Sequence, residues 1–300
     1  MKVIVPTPIT DAMLSSSIAE PSTGEVAWVS GSAYTVGTRR IRATTHRIYE
    51  CVAAVASGVT TLPEADSVHW LDVGPTNRWA MLDGVVNTQS QATSSITVTL
   101  TPGIVDSLSL LELVGGSVTI TQKDAPGGTV VYTQTMVLEG SVVLDWYHYY
   151  FEPFQPLDTA VFQKMGPYAN NEITATITGI GTVKCGVISV GKAYEIGDTL
   201  ASPTIGILDY SSKTTDSFGV TKLTKRAFSK RMDARLLMDA RAFTQLYRLL
   251  ASLRSTPTVW LGSDLPGLSP LVVYGFYQDF SIEIAYPDFH LCSLQVQGLI

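Results

Sequence analysis

The chain has 300 residues, which is enough for two or three domains that each bury a core. Hydrophobic residues make up 45% and charged residues only 15%, with a formal net charge of −6, and this balance favours sheets and surfaces that pack against neighbours. No run approaches the roughly 20 apolar residues of a membrane-spanning helix, and Cys51, Cys185 and Cys292 lack the spacing of a disulfide framework or a zinc site.

The first 25 residues are polar and contain the turn residues Pro8, Pro21 and Gly24. They predict an arm or linker with no apolar period. Residues 1–6 are too few, and too soon broken by proline, for a secretory signal, so we expect the protein to fold in the cytoplasm.

Residues 26–76 predict a small β module with an aromatic core. Short runs around Trp28, Tyr34, Tyr49 and Trp70 are separated by turn residues. The tryptophan, the Tyr-x-x-Gly turn, the Tyr-x-Cys strand and the closing Pro and Trp resemble the small chitin-binding type of carbohydrate-binding module. This resemblance implies that sugar stacks on rings drawn from these four. The residues alone leave open whether the rings bind sugar or only form the core.

A hinge between this module and the next domain is predicted at residues 74–79, which read Gly-Pro-Thr-Asn-Arg-Trp. Asn77 can hydrogen-bond its own backbone, and Arg78 offers donors for Asp72 or Asp83. The predicted hinge residues are Gly74, Pro75, Asn77, Arg78 and Trp79. The run resembles a signature that follows such a module in tail proteins of long-tailed bacteriophages, which implies a virion protein at the distal end of a tail.

Residues 77–204 predict an antiparallel β-sandwich of jelly-roll type. Ile96, Val98 and Leu100 share one face of a strand, and a Pro-Gly-Gly turn at 126–128 joins two strands. A further strand is predicted over 141–151, and about eight short strands separated by turns are typical of a sandwich.

Residues 205–300 predict an α+β unit for assembly. Asp239 can cap a helix that runs to about Arg254, and its apolar side chains recur on one face. These apolar residues are Phe243, Leu246, Tyr247, Leu250 and Leu253. Strands before and after this helix give an order that resembles the strand-helix-strand units of tail-tube and tail-tip rings.

Charge is distributed unevenly along the chain. Residues 213–254 contain ten Lys or Arg and three Asp or Glu, a net charge of +7 that leaves −13 for the rest. Such asymmetry suits contacts between identical subunits, although a solvated basic face explains it as well. The candidate subunit-interface residues are Lys225, Arg226, Lys230, Arg231, Arg241 and Arg248.

The sequence carries little that is typical of catalysis. No nucleophile elbow or phosphate-binding loop occurs, and the four histidines have no metal-ligand spacing. Asp145 and Glu152 flank an aromatic run and are the carboxyl pair that a glycosidase would need. We expect no enzyme activity, no metal and no cofactor, and no nucleic-acid partner.

The expected function follows from the resemblances. They imply a structural protein of a phage tail tip or baseplate, which forms a homo-oligomeric ring or trimer, binds other tail proteins and contacts host surface polysaccharide. The alternative is a free carbohydrate-binding protein of lectin type whose self-assembly is incidental.

Overall fold

The computed structural model describes residues 1–140, 145–151, 155–200, 203–263, 269–284 and 286–299. Within these ranges the protein is mainly β, with antiparallel sheets and one amphipathic helix near the carboxyl end. The predicted fold class is therefore confirmed.

The described residues form twenty strands and two α-helices. The first five strands are β1 (Lys2–Pro6), β2 (Leu14–Ser16), β3 (Arg39–Arg42), β4 (Arg47–Cys51) and β5 (Trp70–Pro75). The next seven are β6 (Ser90–Leu100), β7 (Ser107–Leu111), β8 (Ser117–Lys123), β9 (Val130–Val137), β10 (Thr159–Phe162), β11 (Glu172–Cys185) and β12 (Val187–Glu195). The last eight are β13 (Asp198–Thr199), β14 (Thr204–Asp209), β15 (Ser212–Thr215), β16 (Thr221–Thr224), β17 (Phe228–Asp239), β18 (Thr258–Leu261), β19 (Val272–Glu283) and β20 (Phe289–Gly298). The helices are α1 (Trp146–Phe151) and α2 (Phe243–Ser252).

The largest sheet has ten antiparallel strands and includes the amino-terminal strand. Its order is β10-β7-β12-β1-β18-β19-β20-β17-β13, and β14 also pairs with β17. β1 lies between β12 and β18, and its Val3 and Ile4 are fully buried in cores on opposite faces. The prediction of an arm or linker at residues 1–25 is wrong for this strand, because consecutive apolar residues here fill both cores.

A second sheet completes the predicted sandwich. Its five strands have the order β2-β6-β11-β8-β9. Ile96, Val98 and Leu100 of β6 point inward as predicted and share a buried core with Leu110 of β7 and Phe162 of β10. The second sheet therefore packs on the end of the ten-stranded sheet that contains β10, β7 and β12.

Helix α2 packs over the other part of the ten-stranded sheet, as its period predicts. The Asp239 carboxylate accepts a hydrogen bond of 2.8 Å from the Arg241 N–H, but it caps the 3-10 turn Ala240–Ala242 that leads into α2 rather than α2 itself, whose N-cap residue is Ala242. Leu246, Leu250 and Leu253 are buried in a core that is shared with β17, β18 and β20.

The strand predicted over 141–151 is wrong where the structure describes it. Residues 146–151 form helix α1, and residues 141–144 lie outside the described part of the chain. In a helix, side chains four residues apart are neighbours, which brings aromatic rings together in pairs. The centroids of Trp146 and Tyr150 lie 6.2 Å apart, and those of Tyr147 and Phe151 lie 5.0 Å apart.

The ten-stranded sheet contains strands from three segments that the sequence analysis assigns to different domains. β1, β12 and β18 come from the proposed linker, sandwich and assembly unit, and backbone hydrogen bonds connect them directly. The boundaries at 76/77 and 204/205 stay predictions, and independent folding of residues 205–300 would require breaking this sheet.

Candidate functional site

The aromatic module is a three-stranded sheet of β3, β4 and β5 with its own small core. Tyr34, Tyr49 and Trp70 are only 3–6% exposed and pack around Cys51. The Tyr34 and Trp70 rings meet edge to face with centroids 5.1 Å apart. A ring buried this far has no open face for a sugar, so burial favours the core role for these three rings.

Trp28 is the partly buried member of the predicted sugar-binding set. The Arg42 guanidinium lies over its ring, 5.2 Å from the centroid, and Arg42 also pairs with the Glu64 carboxylate at 3.1 Å. A cation over an indole face is attracted by the ring quadrupole. One face of Trp28 is therefore engaged inside the module.

The predicted hinge is a closely bonded junction. Gly74 lies inside β5, where the pairing with β4 is irregular, and its φ of +146° is a backbone conformation that L side chains rarely adopt. Thr76 is fully buried, its N–H donates to the His46 carbonyl at 2.9 Å and its hydroxyl donates to Glu20 at 2.6 Å. His46 Nδ1 lies 2.9 Å from the second Glu20 oxygen. Glu20 thus ties the amino-terminal segment to the module and to the hinge.

Asn77 and Trp79 connect this junction to the sandwich. The Asn77 side-chain amide exchanges two hydrogen bonds with the Gln91 backbone, of 2.8 and 2.9 Å. The Trp79 ring stacks on His46 with centroids 4.2 Å apart and packs against the sandwich core. The sequence predicts that the Asn77 side chain bonds its own backbone. In the structure it instead forms hydrogen bonds with a distant backbone segment, as a neighbouring strand would.

The predicted partners of Arg78 are also wrong. Its guanidinium donates to the Leu14 carbonyl at 3.3 Å, which fastens the hinge to β2. Asp72 pairs with Arg47 at 2.8 Å, and Asp83 accepts the Thr88 hydroxyl. Arg78 is close to Asp72 and Asp83 in the sequence. The fold nevertheless brings other partners closer to all three residues.

The six candidate interface cations differ in burial and in ion pairing. Arg231 pairs with Asp233 at 2.9 Å, and Arg241 pairs with the helix-capping Asp239 at 2.6 Å. The other four lie at separate places: exposed Lys225 and Arg226 beyond β16, half-buried Lys230 on β17, and exposed Arg248 on α2. A role of all six in a single contact stays a prediction.

The sequence did not reveal a cleft beside residues 82–89. Two adjoining cavities of about 500 and 470 Å³ share the lining residues Val86, Tyr274 and Leu299, and we call them together the cleft. Its residues come from both ends and the middle of the chain. No local pattern could have found the cleft, because only the folded sheet brings these segments together.

Acidic groups dominate the charge of the cleft. It contains Asp83, Glu112 and Asp158 against one cation, Lys230. Burial raises the pKa of Asp83, and burial together with the Asp158 charge raises the pKa of Glu112. Burial also raises the pKa of Tyr274 to about 12, and its hydroxyl donates to the Gly84 carbonyl at 3.1 Å. The described lining of the cleft therefore combines carboxyl groups with apolar side chains.

Two exposed apolar segments were also missed. The arm, which we define as residues 210–226, contains the β15–β16 hairpin and carries exposed Phe218 and Leu223. Helix α1 exposes Trp146 and Tyr150. In the sequence, residues 209–219 read as a polar connection and residues 146–151 as part of an aromatic strand, because alternation shows that two faces differ without showing what covers either face.

Neither a protein-family model nor a curated protein matches this chain. Among the described residues no group of three or more His, Cys, Asp or Glu is placed to hold a metal ion. No helix in the same ranges is long and apolar enough to cross a membrane. Of the carboxyl pair Asp145 and Glu152, Asp145 is exposed and Glu152 lies outside the described residues.

Proposed function

We propose that this protein is a structural component of a bacteriophage tail tip or baseplate. It would self-associate as a ring or trimer and bind other tail proteins, after synthesis in the host cytoplasm. The aromatic module and the sandwich would project toward the host surface. The proposal rests on the sequence resemblances and on the way the resembling residues are used.

The observation that carries this proposal is the junction at residues 74–79. The run that resembles a tail-protein signature joins three parts of the chain through Glu20, Thr76 and Asn77. The side chains of Thr76, Asn77 and Arg78 form hydrogen bonds with other parts of the chain. Such a junction holds a module in a fixed direction, which suits a particle component more than a catalyst.

Exposed apolar surface supports self-association. Phe218 and Leu223 of the arm and Trp146 of α1 are large apolar side chains that are mostly exposed, and apolar surface of this kind can mark an interaction site where it is contiguous. The residues around the arm are basic, whereas the rest of the chain is acidic. Complementary charge on one chain favours contacts between copies.

The native mass of the full chain, measured by light scattering over a concentration series, tests self-association. We expect a discrete trimer or larger ring, or a mass that rises toward one with concentration. A monomer at every concentration would contradict self-association and favour the lectin-like alternative.

A carbohydrate-binding role is favoured by one specific observation, the exposed rings of α1. Trp146 and Tyr150 stack with an interplanar angle of 23°, and both rings are exposed. Flat aromatic faces suit the C–H surface of a sugar ring. The second candidate function is therefore a free lectin-like protein, or a tail protein that contacts host polysaccharide through α1.

Co-sedimentation with insoluble chitin and with purified bacterial cell walls tests this candidate. A Trp146→Ala, Tyr150→Ala variant should lose retention, while the matched Tyr168→Ala, Tyr286→Ala variant, which also removes two exposed rings, should still be retained. Equal retention by both variants would exclude α1 as the sugar contact. Deletion of residues 205–300 is not a usable test, because β17–β20 belong to the same sheet as β12.

A further inference from the structure

The arm projects from the ten-stranded sheet without a core of its own. Its two strands pair only with each other, in register from Ser212 with Thr224 to Thr215 with Thr221. Every residue of the two strands except Ser212 is exposed. An isolated two-stranded hairpin is marginally stable in water, so contact with another surface would stabilise it.

The tip of the arm is apolar, and Leu223 adds one apolar side chain on its body, opposite Lys213 in the pairing of the two strands. Phe218 at the turn is 91% exposed and Leu223 on β16 is 75% exposed, while Val220 lies between them. The turn itself is well formed, because the Asp216 carboxylate accepts from the N–H groups of Phe218 and Val220 at 2.9 Å. The arm thus presents a large ring on an ordered turn, as a docking element requires.

The flanks of the arm are basic. Lys213, Lys222, Lys225 and Arg226 stand against Asp216, a net charge of +3 over residues 210–226. Within the part of the chain that the structure describes, none of these four cations forms an ion pair. A complementary partner would therefore be apolar at the centre and acidic around it.

The cleft has both properties. One cavity is lined by apolar residues that include Ile9, Leu82 and Val85, and its volume lies in the range of sites that enclose small organic groups. Asp83 lines this cavity, and Glu112 and Asp158 line the adjoining one together with Lys230, the one cation among the described lining residues.

The arm of the same copy does not fill this cleft. Ala227 and Phe228, which follow the arm directly, line the second cavity, so the arm leaves the sheet at the edge of the cleft. Its apolar residues lie exposed rather than seated there. A neighbouring copy can supply the missing occupant.

We propose that the arm of one copy docks into the cleft of a second copy, with Phe218 in the apolar cavity and the basic flanks beside the acidic residues. This inference rests on the self-association in the proposed function and names its contact. Arm and cleft are different surfaces, so the contact is heterologous and repeats from copy to copy. Such contacts close into a ring when the rotation allows, and otherwise extend as a filament.

The first test removes the apolar part of the arm. A Phe218→Ser, Leu223→Ser variant should dissociate at concentrations where the parent is assembled, with about tenfold or more weaker self-association in light scattering. The matched control is Val36→Ser, Ile180→Ser, which also removes two exposed apolar side chains, from the module and from β11. The control should assemble like the parent.

The second test mixes two defective copies. Val85→Arg places bulk and positive charge in the cleft at an exposed position, and this variant alone should also dissociate. It keeps an intact arm, whereas the arm variant keeps an intact cleft. A 1:1 mixture should therefore form a complex of two copies that neither variant forms alone, because only one productive contact is available.

The outcomes separate the two proposals. If the parent assembles and the arm variant assembles equally well, docking of the arm is wrong while self-association stands. If the mixture stays monomeric, the pairing of arm with cleft is wrong. If the parent is itself monomeric throughout, self-association in the proposed function is wrong, and this inference is overturned with it.

Discussion

The side chains of the junction at residues 74–79 are bonded within the chain, whereas those of the arm at residues 210–226 are exposed. At the junction, Glu20, Thr76 and Asn77 are all bonded within the chain, and Trp79 packs on a core. In the arm, large apolar and basic side chains have no such cover. The same chain thus bonds one segment into the fold and leaves the side chains of another exposed, so changes at the two places should have different consequences.

The largest effect should come from the core of the module. Trp70→Ala leaves a cavity where a buried ring packs against Tyr34 and Cys51, and we expect the module to lose about 3–5 kcal/mol of stability. Hydrogen exchange of the β4 amides should report this loss. The matched substitution Phe218→Ala in the arm should change stability by less than about 0.5 kcal/mol. Similar losses from both would break the contrast between a bonded module and an unpartnered arm.

An intermediate effect is expected at the junction. Glu20→Ala leaves the buried Thr76 hydroxyl without its acceptor and removes the partner of His46, so stability should fall by about 1–3 kcal/mol. Denaturant unfolding followed by tryptophan fluorescence would measure it. The control is Glu50→Ala, which removes an ion pair with the exposed side chain of Arg39. It should lower the free energy of unfolding by less than about 1 kcal/mol. If the junction is only a flexible linker, the two variants should lose the same amount of stability.

The smallest effect is a pH dependence from the cleft. The pKa of Glu112 is raised above its ordinary value of 4.5 by burial and then by Asp158, so the folded protein binds the proton more tightly than the unfolded chain does. The resulting stability is fully present below pH 4.5 and is lost as pH rises through the raised pKa. Glu112→Gln should remove this loss.

Unfolding of parent and Glu112→Gln variant should therefore diverge as pH rises from about 4 toward 7, with the variant the more stable at the upper end. Asp158→Asn provides a graded control, because removing that charge should bring the Glu112 pKa part of the way down and shrink the divergence. Parallel curves for all three proteins would show that the carboxyl group is not buried as the structure has it.

Local patterns were sufficient for some elements. The period of Leu246, Leu250 and Leu253 predicted α2, and alternation of Ile96, Val98 and Leu100 predicted the inner face of β6. These predictions succeeded because neighbouring residues carry the whole signal.

Long-range pairing defeated the same reasoning elsewhere. β1 pairs with strands that begin at Val187 and Thr258, and no local period predicts such distant partners. Its run of three apolar residues is nevertheless typical of a strand that is buried on both faces. The aromatic run at Trp146–Phe151 was predicted as a strand because strong β-formers alternate there, yet ring pairs four residues apart accompany a helix.

The sequence by itself determined the mainly β class, the amphipathic helix and the short strands of the aromatic module, since each depends on residue type and short spacing. Only the tertiary structure decided that Tyr34, Tyr49 and Trp70 are core residues, that Arg78 bonds to β2, and that distant acidic residues share a cleft. The physical reason is that burial and charge pairing depend on which segments meet. That choice is made by the sheet as a whole, through hydrogen bonds between strands far apart in the chain.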